Sequence, residues 1–265
     1  MGCEASIAIV KSTGMPLHLV ALGDSTVEGV EDPGPDGVYI GWADRFACHL
    51  DVMHPGLLYA NLAVRGQTAR EVRETQLRPA LALAPDFAVV VSGVNDVLRP
   101  KLDRDALRDD LCAMHAELAA TGARVLTFTM PDMARVAPIA VVLRRRLQFL
   151  NSVTFECRER YGSTVVDLAS VPAASHPALW HTDRLHANSE GHRRIAAALA
   201  EAVGYEVEDW RAEPPPEAKL SRVRVALIEA AWAGSHLLPW VWEHVRGQSP
   251  GDDLTCKRPN LLPVT

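Results

Sequence analysis

Apolar runs alternate with helical stretches through the first two hundred residues, and this alternation limits the fold more than any other feature. Five short runs carry little charge, which is typical of strands that are buried on both faces of a sheet. The segments between them are long enough for a helix that crosses to a parallel neighbour. The predicted strands span residues 18–24, 57–64, 86–93, 124–130 and 163–169.

Strands and helices in this order predict a three-layer α/β/α sandwich around a five-stranded parallel sheet, because crossovers between parallel strands are right-handed and cover both faces. In such folds, ligands bind beyond the carboxyl ends of the strands. Polar residues at those ends are therefore the candidates for function. The predicted helices lie near residues 40–51, from about 68, and over 103–121, 137–160 and 189–203.

The composition changes after Gly204. A proline-rich segment over 213–217 is followed by an amphipathic stretch over 217–246 and then by a polar tail. We therefore predict a core domain over residues 1–204, and a linker, an amphipathic helix and a polar tail over 205–265. The amphipathic stretch favours packing on the core or a subunit contact that forms a homo-oligomer, and contact with lipid is the alternative.

Charge and cysteine usage exclude several classes of protein. The net charge is −6 with no basic stripe, which argues against a nucleic-acid partner. The five cysteines are widely spaced, which predicts free thiols and no disulfide framework or metal cluster. The N-terminus lacks the basic region of a signal peptide, and no run of about 18 apolar residues predicts a membrane span. These features predict a cytoplasmic protein.

A serine stands directly after the first predicted strand. Ser25 in Gly23-Asp24-Ser25 lies at the carboxyl edge of the sheet, where a nucleophile would meet a ligand. Taken alone, a serine at this position is more often a helix cap than a nucleophile. The assignment therefore depends on whether the chain also supplies a base.

Asp183 and His186 are candidates for that base, which a nucleophilic serine needs because its hydroxyl is barely ionised at neutral pH. Their spacing of three residues brings both side chains onto one face of a turn. The carboxylate can then hold Nδ1–H while Nε2 accepts the Ser25 proton. Two other interpretations stay open: His181, Asp183 and His186 as metal ligands, or the histidines as ordinary residues of a surface loop.

Two further residues at strand ends are candidate donors for an oxyanion hole. Gly66 follows the second predicted strand, and a glycine lets its N–H approach a ligand closely. Asn95 follows the third strand and offers a side-chain amide. Singly, a tight turn explains Gly66 and a local turn or helix cap explains Asn95 better. Together with the serine and its base, they favour an acyl-transfer site.

Four sequence blocks together resemble those of the SGNH, or GDSL-type, hydrolases. They are GDS at 23–25, Gly66 in NLAVRGQT, Asn95 in GVND, and Asp183 with His186 in DRLH. The blocks occur in the family's order within residues 18–204. The first one reads GDST, with Thr26 at the position of the leucine, which is not a catalytic position. NLAVRG, GVNDVLRP and KRPNLLPV resemble a branch that is common in actinobacteria.

The resemblance implies a flavodoxin-like sandwich and a carboxylic ester hydrolase (EC 3.1.1.-) that works through an acyl-enzyme. It implies Ser25 as nucleophile, His186 as base and Asp183 as its partner. It also implies an oxyanion hole made by the N–H groups of Ser25 and Gly66 and by the side chain of Asn95. No metal or organic cofactor is implied.

Other functions remain compatible with the same residues. An acyltransferase, a thioesterase or a lysophospholipase would use the same triad, and product analysis with acceptor alcohols distinguishes transfer from hydrolysis. A catalytically silent binding module and metal-dependent hydrolysis are weaker alternatives. The expected partner is a small-molecule ester, and the segments 28–39 and 131–142 are the predicted walls of its pocket.

Overall fold

The computed structural model describes residues 15–215, 232, 234 and 255–264. Apart from Trp232 and Gly234, the predicted amphipathic stretch over 217–246 lies outside the described residues. In the described ranges, no helix is long and apolar enough to cross a membrane.

A single sheet with the strand order β5-β4-β3-β1-β2-β6 forms the middle layer. The first five strands are parallel, and their side chains are mostly buried, which explains their apolar composition. Their order is that of flavodoxin-like folds, with a switch point between β1 and β3. The strands are β1 (His18–Gly23), β2 (Leu58–Asn61), β3 (Phe87–Val91), β4 (Arg124–Phe128), β5 (Thr164–Val166) and β6 (Arg258–Pro263).

The predicted sandwich is confirmed, but the predicted number of strands was wrong. The sixth strand, β6, comes from the polar tail and pairs antiparallel with the edge strand β2. Its two prolines argue against a strand when only the sequence is considered. An edge strand nevertheless tolerates proline, because the backbone groups on its outer side need no partner strand. Arg258 holds it in place by donating from Nε to the carbonyl of Tyr59 over 2.9 Å.

Helices cover both faces of the sheet. Helices α2 and α7 pack together on one face, and α3, α5 and α6 pack on the other. The helices are α1 (Ser25–Glu28), α2 (Gly41–Met53), α3 (Ala69–Ala82), α4 (Val94–Leu98), α5 (Arg104–Ala120), α6 (Arg144–Tyr161) and α7 (Ser189–Ala202). Helix α6 begins later than predicted, because short 3₁₀ turns over Met133–Arg135 and Pro138–Leu143 come before it.

The end of β1 is built around Gly23. A Cβ atom there would lie 2.2 Å from the carbonyl oxygen of Val91 and 2.4 Å from a methyl group of Val27, so only glycine fits. The buried side chain of Gln76 from α3 accepts from the Gly23 N–H at 2.9 Å and donates to its carbonyl at 2.8 Å. These contacts fix the point where the chain leaves the sheet, one residue before Asp24 and two before Ser25.

Candidate active site

Ser25 is the first residue of the short helix α1, directly beyond the carboxyl end of β1. Asp24 caps this helix, because its side chain accepts from the N–H of Thr26 at 3.0 Å. The first N–H groups of a helix have no partner within it, so the N–H of Ser25 is available to a ligand. The structure therefore places this serine at the switch point, as a nucleophile requires.

The structure brings Ser25, His186 and Asp183 together in one chain of hydrogen bonds. His186 Nε2 lies 2.9 Å from Ser25 Oγ, and His186 Nδ1 lies 2.6 Å from Asp183 Oδ2. The side chains of His186 and Asp183 are 16% and 19% exposed, so water reaches them only in part. The distances suit proton transfer from the serine to the histidine.

The environment of Asp183 keeps its carboxyl group ionised. Burial alone would raise the pKa of this group, but the hydrogen bond from the His186 side chain, the charge of that ring and two backbone N–H groups outweigh it. Those N–H groups belong to Leu185 and His186 and lie 3.0 and 3.1 Å from Oδ1. Together they lower the pKa of Asp183 to about 2.

The loop that carries this pair is fixed at both ends. The N–H of His181 donates to the carbonyl of His186 over 2.8 Å. Asn188 caps α7 by accepting from the N–H of Gly191 at 3.0 Å. The indole N–H of Trp232 donates to the carbonyl of Asp183 at 3.2 Å. Trp232 lies far along the chain, so this contact could not be read from the motif.

Gly66 and Asn95 lie on the other side of the site. Gly66 has a φ of +82°, in the left-handed region that favours glycine. The amide of Asn95 donates one N–H to the carbonyl of Gln67 over 2.9 Å, which ties it to the turn that contains Gly66. An amide has two N–H groups, so a second donor is left for a ligand.

Two carboxyl groups, of Asp24 and the half-buried Asp96, also lie near this turn, and both are harder to ionise than usual. Asp24 is 1% exposed, and its Oδ2 atom has no hydrogen-bond partner among the described residues. Burial raises the pKa of Asp24. Burial, helped by the charge of Asp24, raises the pKa of Asp96 to about 6, although Asp96 accepts from the N–H of Ala69 at 2.9 Å.

An ion pair that the sequence analysis missed links α1 to the turn before Gly66. Glu28 accepts from the backbone N–H and from Nε of Arg65, both at 3.0 Å. The guanidinium group of Arg65 lies over the ring of Tyr39, 5.2 Å from its centre. Glu28 and Gln76 are both buried polar residues of helices, and no local sequence pattern indicates their partners, which lie 37 and 53 residues away.

The structure does not bring His181, Asp183 and His186 together as a metal-ligand group, the alternative that the sequence left open. Both ring nitrogens of His186 are engaged, with Asp183 and Ser25. His181 instead lies 3.3 Å from a carboxylate oxygen of Glu31 and 3.7 Å from Asp183. Glu31, His181 and Asp183 are half-buried, and their ligand atoms lie within 4.8 Å of one another.

A cavity of about 80 Å³ opens beside His186. Pro131 and Met133 from the predicted wall over 131–142 line it, whereas no lining residue comes from the segment 28–39. Thr26 and His186 bound it on the side of the serine, and Trp210 also lines it.

Comparisons with known proteins agree with this geometry. The model of the GDSL-like lipase/acylhydrolase family matches residues 21–194. No curated protein matches the chain.

Solved structures show the same fold. An α/β hydrolase, LAE5, from the metagenome of Lake Arreo is 24% identical, with a TM-score of 0.60 over 72% of this chain and 97% of its own. Axe2, an acetylxylan esterase from Geobacillus stearothermophilus, is 22% identical, with a TM-score of 0.60 over 74% of this chain and 97% of its own. The psychrotrophic esterase EstA from Pseudoalteromonas sp. is 16% identical, with a TM-score of 0.55 over 70% of this chain and 96% of its own. The match to the family model, over about two thirds of the sequence, shows that the chain belongs to the GDSL-like lipase/acylhydrolase family.

Proposed function

We propose that this protein hydrolyses carboxylic esters through an acyl-enzyme on Ser25. The observation that carries the proposal is the chain of hydrogen bonds from Ser25 Oγ through His186 to Asp183, with distances of 2.9 and 2.6 Å. A serine beside an oriented imidazole is an activated nucleophile. The aspartate fixes the tautomer and stabilises the imidazolium that forms.

The reaction proceeds in two halves. His186 takes the proton as Ser25 Oγ attacks the ester carbonyl, and the resulting tetrahedral intermediate expels the alcohol, which His186 protonates. Water then enters, gives its proton to His186 and attacks the acyl-enzyme. Collapse of the second intermediate releases the acid and returns the proton to Ser25.

The negative oxygen of each intermediate needs donors that are already in place. The N–H of Ser25, the N–H of Gly66 and the free amide N–H of Asn95 fill this role in our proposal. The hydrogen bond from Asn95 to Gln67 supports it, because that bond holds the amide next to the turn of Gly66 before substrate arrives.

The names of the solved relatives support ester chemistry. Axe2 and EstA are esterases, and catalytic mutants of Axe2 replace a serine, an aspartate or a histidine with alanine. An acyltransferase or a thioesterase would use the same residues, and a lysophospholipase would also do so. Hydrolysis is preferred because the triad is partly exposed to water, which is then the most abundant acceptor.

Release of p-nitrophenol from acetyl, butyryl and octanoyl esters tests the proposal, with a chelator present. We expect Ser25→Ala to lose about 10⁶-fold in kcat, the usual effect of removing a catalytic serine. Ser170→Ala, which changes an exposed serine, is the matched control and should keep full activity. Activity that survives in Ser25→Ala, or that the chelator abolishes in the wild type, would contradict the serine mechanism.

A further inference from the structure

The cavity beside His186 begins where the substrate's carbonyl carbon must lie. Thr26 follows Ser25, Val94 precedes Asn95, and both line the cavity together with His186. A group attached to that carbon can therefore enter the cavity. Its volume of about 80 Å³ has room for roughly five to eight water molecules or a similar number of methylene groups.

The polar side chains of the lining are already occupied by other partners. His192 Nδ1 accepts from the N–H of Trp42 at 3.1 Å, and Nε2 lies 3.2 Å from the carbonyl of Val30. Trp180 donates to the carbonyl of Ala174 at 3.0 Å.

Arg194 is held by Glu190 over 2.8 Å. The cavity therefore presents mainly carbon to a ligand, which favours an aliphatic chain. The apolar lining includes Phe128, Met130, Met133, Leu147, Leu168 and Ile195.

Trp210 closes the far end. The lining runs along α7 from Gly191 to Ile195, about 6 Å away from the catalytic loop. Trp210 packs against the part of α7 that leads away from the catalytic loop, because its indole N–H donates to Glu201, one to two turns past Ile195, and its carbonyl accepts from Arg194 at 3.4 Å. It is 5% exposed, and it lies outside the segment 21–194 that matches the family model.

The acyl half of the ester fits this cavity better than the alcohol half. The alcohol must leave and be replaced by water beside His186 before the acyl-enzyme is hydrolysed. An apolar space that a tryptophan closes would hinder that exchange. The acyl group stays attached through both halves of the reaction, so a closed pocket suits it.

We propose that this cavity is the acyl-chain site, that it takes an aliphatic chain of roughly five to eight carbons beyond the carbonyl carbon, and that Trp210 sets the upper limit of chain length. This inference rests on the proposed function, which by itself states only that an ester is cleaved.

The test is kcat/KM for p-nitrophenyl acetate, butyrate, octanoate and laurate. Ala174→Phe fills the cavity, and Ala178→Phe adds the same side chain at an exposed position of the same loop that does not line the cavity. We expect Ala174→Phe to lower the ratio of the octanoate value to the acetate value about 100-fold, because several methylene groups of octanoate lose their buried contacts. Ala178→Phe should keep the wild-type profile.

Trp210→Ala opens the far end of the cavity and should raise kcat/KM for the laurate ester relative to that for the octanoate ester. Arg211→Ala is its control, because Arg211 stacks on Trp210 at 4.0 Å but does not line the cavity. An unchanged ratio of laurate to octanoate in Trp210→Ala would overturn the role of Trp210. Unchanged chain-length dependence in a folded, acetate-active Ala174→Phe would overturn the acyl site. Butyl acetate and octyl acetate vary the alcohol in the same way. If kcat/KM depended on the length of the alcohol and not on that of the acyl chain, the assignment of the cavity as the acyl-chain site would also be overturned.

Octanoate binding to Ser25→Ala, measured by calorimetry, separates this inference from the proposed function. Binding that Ala174→Phe removes in the same background supports the cavity even if the serine mechanism fails. Absence of octanoate binding in Ser25→Ala, while the wild type still cleaves p-nitrophenyl acetate, would reject the cavity and leave the mechanism standing.

Discussion

The carboxyl groups on the two sides of Ser25 have pKa values that are shifted in opposite directions. The base side carries His186 and Asp183, and the donor side carries Gly66 and Asn95. On the base side, Asp183 has a pKa lowered to about 2. On the donor side, the pKa of Asp24 is raised and that of Asp96 is raised to about 6. Burial raises the pKa in all three, so hydrogen bonds and neighbouring charges decide the outcome. Asp183 accepts three hydrogen bonds and lies beside the His186 ring, whereas Asp24 accepts from the N–H of Thr26 at Oδ1 and its Oδ2 has no partner among the described residues.

This difference matches the charges that the proposed reaction creates. Positive charge develops on His186, where an ionised Asp183 stabilises it. Negative charge develops on the substrate oxygen near Asn95, where an ionised carboxylate would repel it. The shifts of Asp24 and Asp96 have the direction that lessens this repulsion, and for Asp96, whose pKa is about 6, the effect is present at pH values near and below 6.

The largest expected effects lie on the base side. His186→Ala removes the base and should lower kcat about 10⁶-fold, whereas Asp183→Ala should lower it about 10⁴-fold, because the imidazole remains and loses only its orientation. The measurement is steady-state turnover of p-nitrophenyl butyrate. Asp183→Asn is the control, because its amide oxygen can still accept from the two backbone N–H groups that donate to Oδ1, while its negative charge is lost. Equal losses in His186→Ala and Asp183→Ala would mean that the aspartate contributes as much as the base.

A smaller effect is expected on the donor side. Asn95→Ala should lower kcat by about 10²–10³-fold with little change in KM, because an oxyanion donor acts mainly in the transition state. Gln67 is linked to Asn95 only through its backbone carbonyl, so Gln67→Ala keeps that acceptor and serves as the matched control. An unchanged kcat in Asn95→Ala would remove the asparagine from the oxyanion hole.

The sequence predicted the five parallel strands because burial on both faces forces their residues to be apolar. The prediction was less accurate for the edge strands, each of which has a single neighbour in the sheet. The prediction for β5 covered residues 163–169, but only Thr164–Val166 are paired, at the edge of the sheet. Strand β6 was missed for the same reason, since an edge strand made of a polar tail needs no apolar pattern.

The candidate site could be predicted as far as its residues follow strands or share a turn. Ser25, Gly66 and Asn95 follow β1, β2 and β3, and Asp183 lies three residues before His186. Contacts made across the fold gave no such pattern. Gln76 and Gly23, which are joined by hydrogen bonds, lie 53 residues apart in the sequence, and Trp232 and Asp183 lie 49 residues apart. No local rule connects residues so far apart.

The smallest expected effect tests the raised pKa of Asp96 through stability. A carboxyl group with a pKa of about 6 in the folded state and 3.8 in the unfolded state binds its proton more tightly when folded. The wild type should therefore lose stability as the pH rises from about 4 to 6. Asp96→Asn is neutral throughout, and its amide oxygen can still accept from the N–H of Ala69.

The free energy of unfolding of Asp96→Asn, relative to the wild type, should increase over this pH range by on the order of 2–3 kcal/mol. Urea denaturation at pH 4, 5, 6 and 7 measures the difference, and Asp109→Asn controls for the loss of one exposed negative charge. A constant difference between Asp96→Asn and the wild type would show that Asp96 ionises as easily as a carboxyl group in water. The contrast between the two sides of Ser25 would then rest on Asp24 alone, because Asp24 is the more deeply buried of the two acids and lacks a partner for Oδ2 in the described part of the chain.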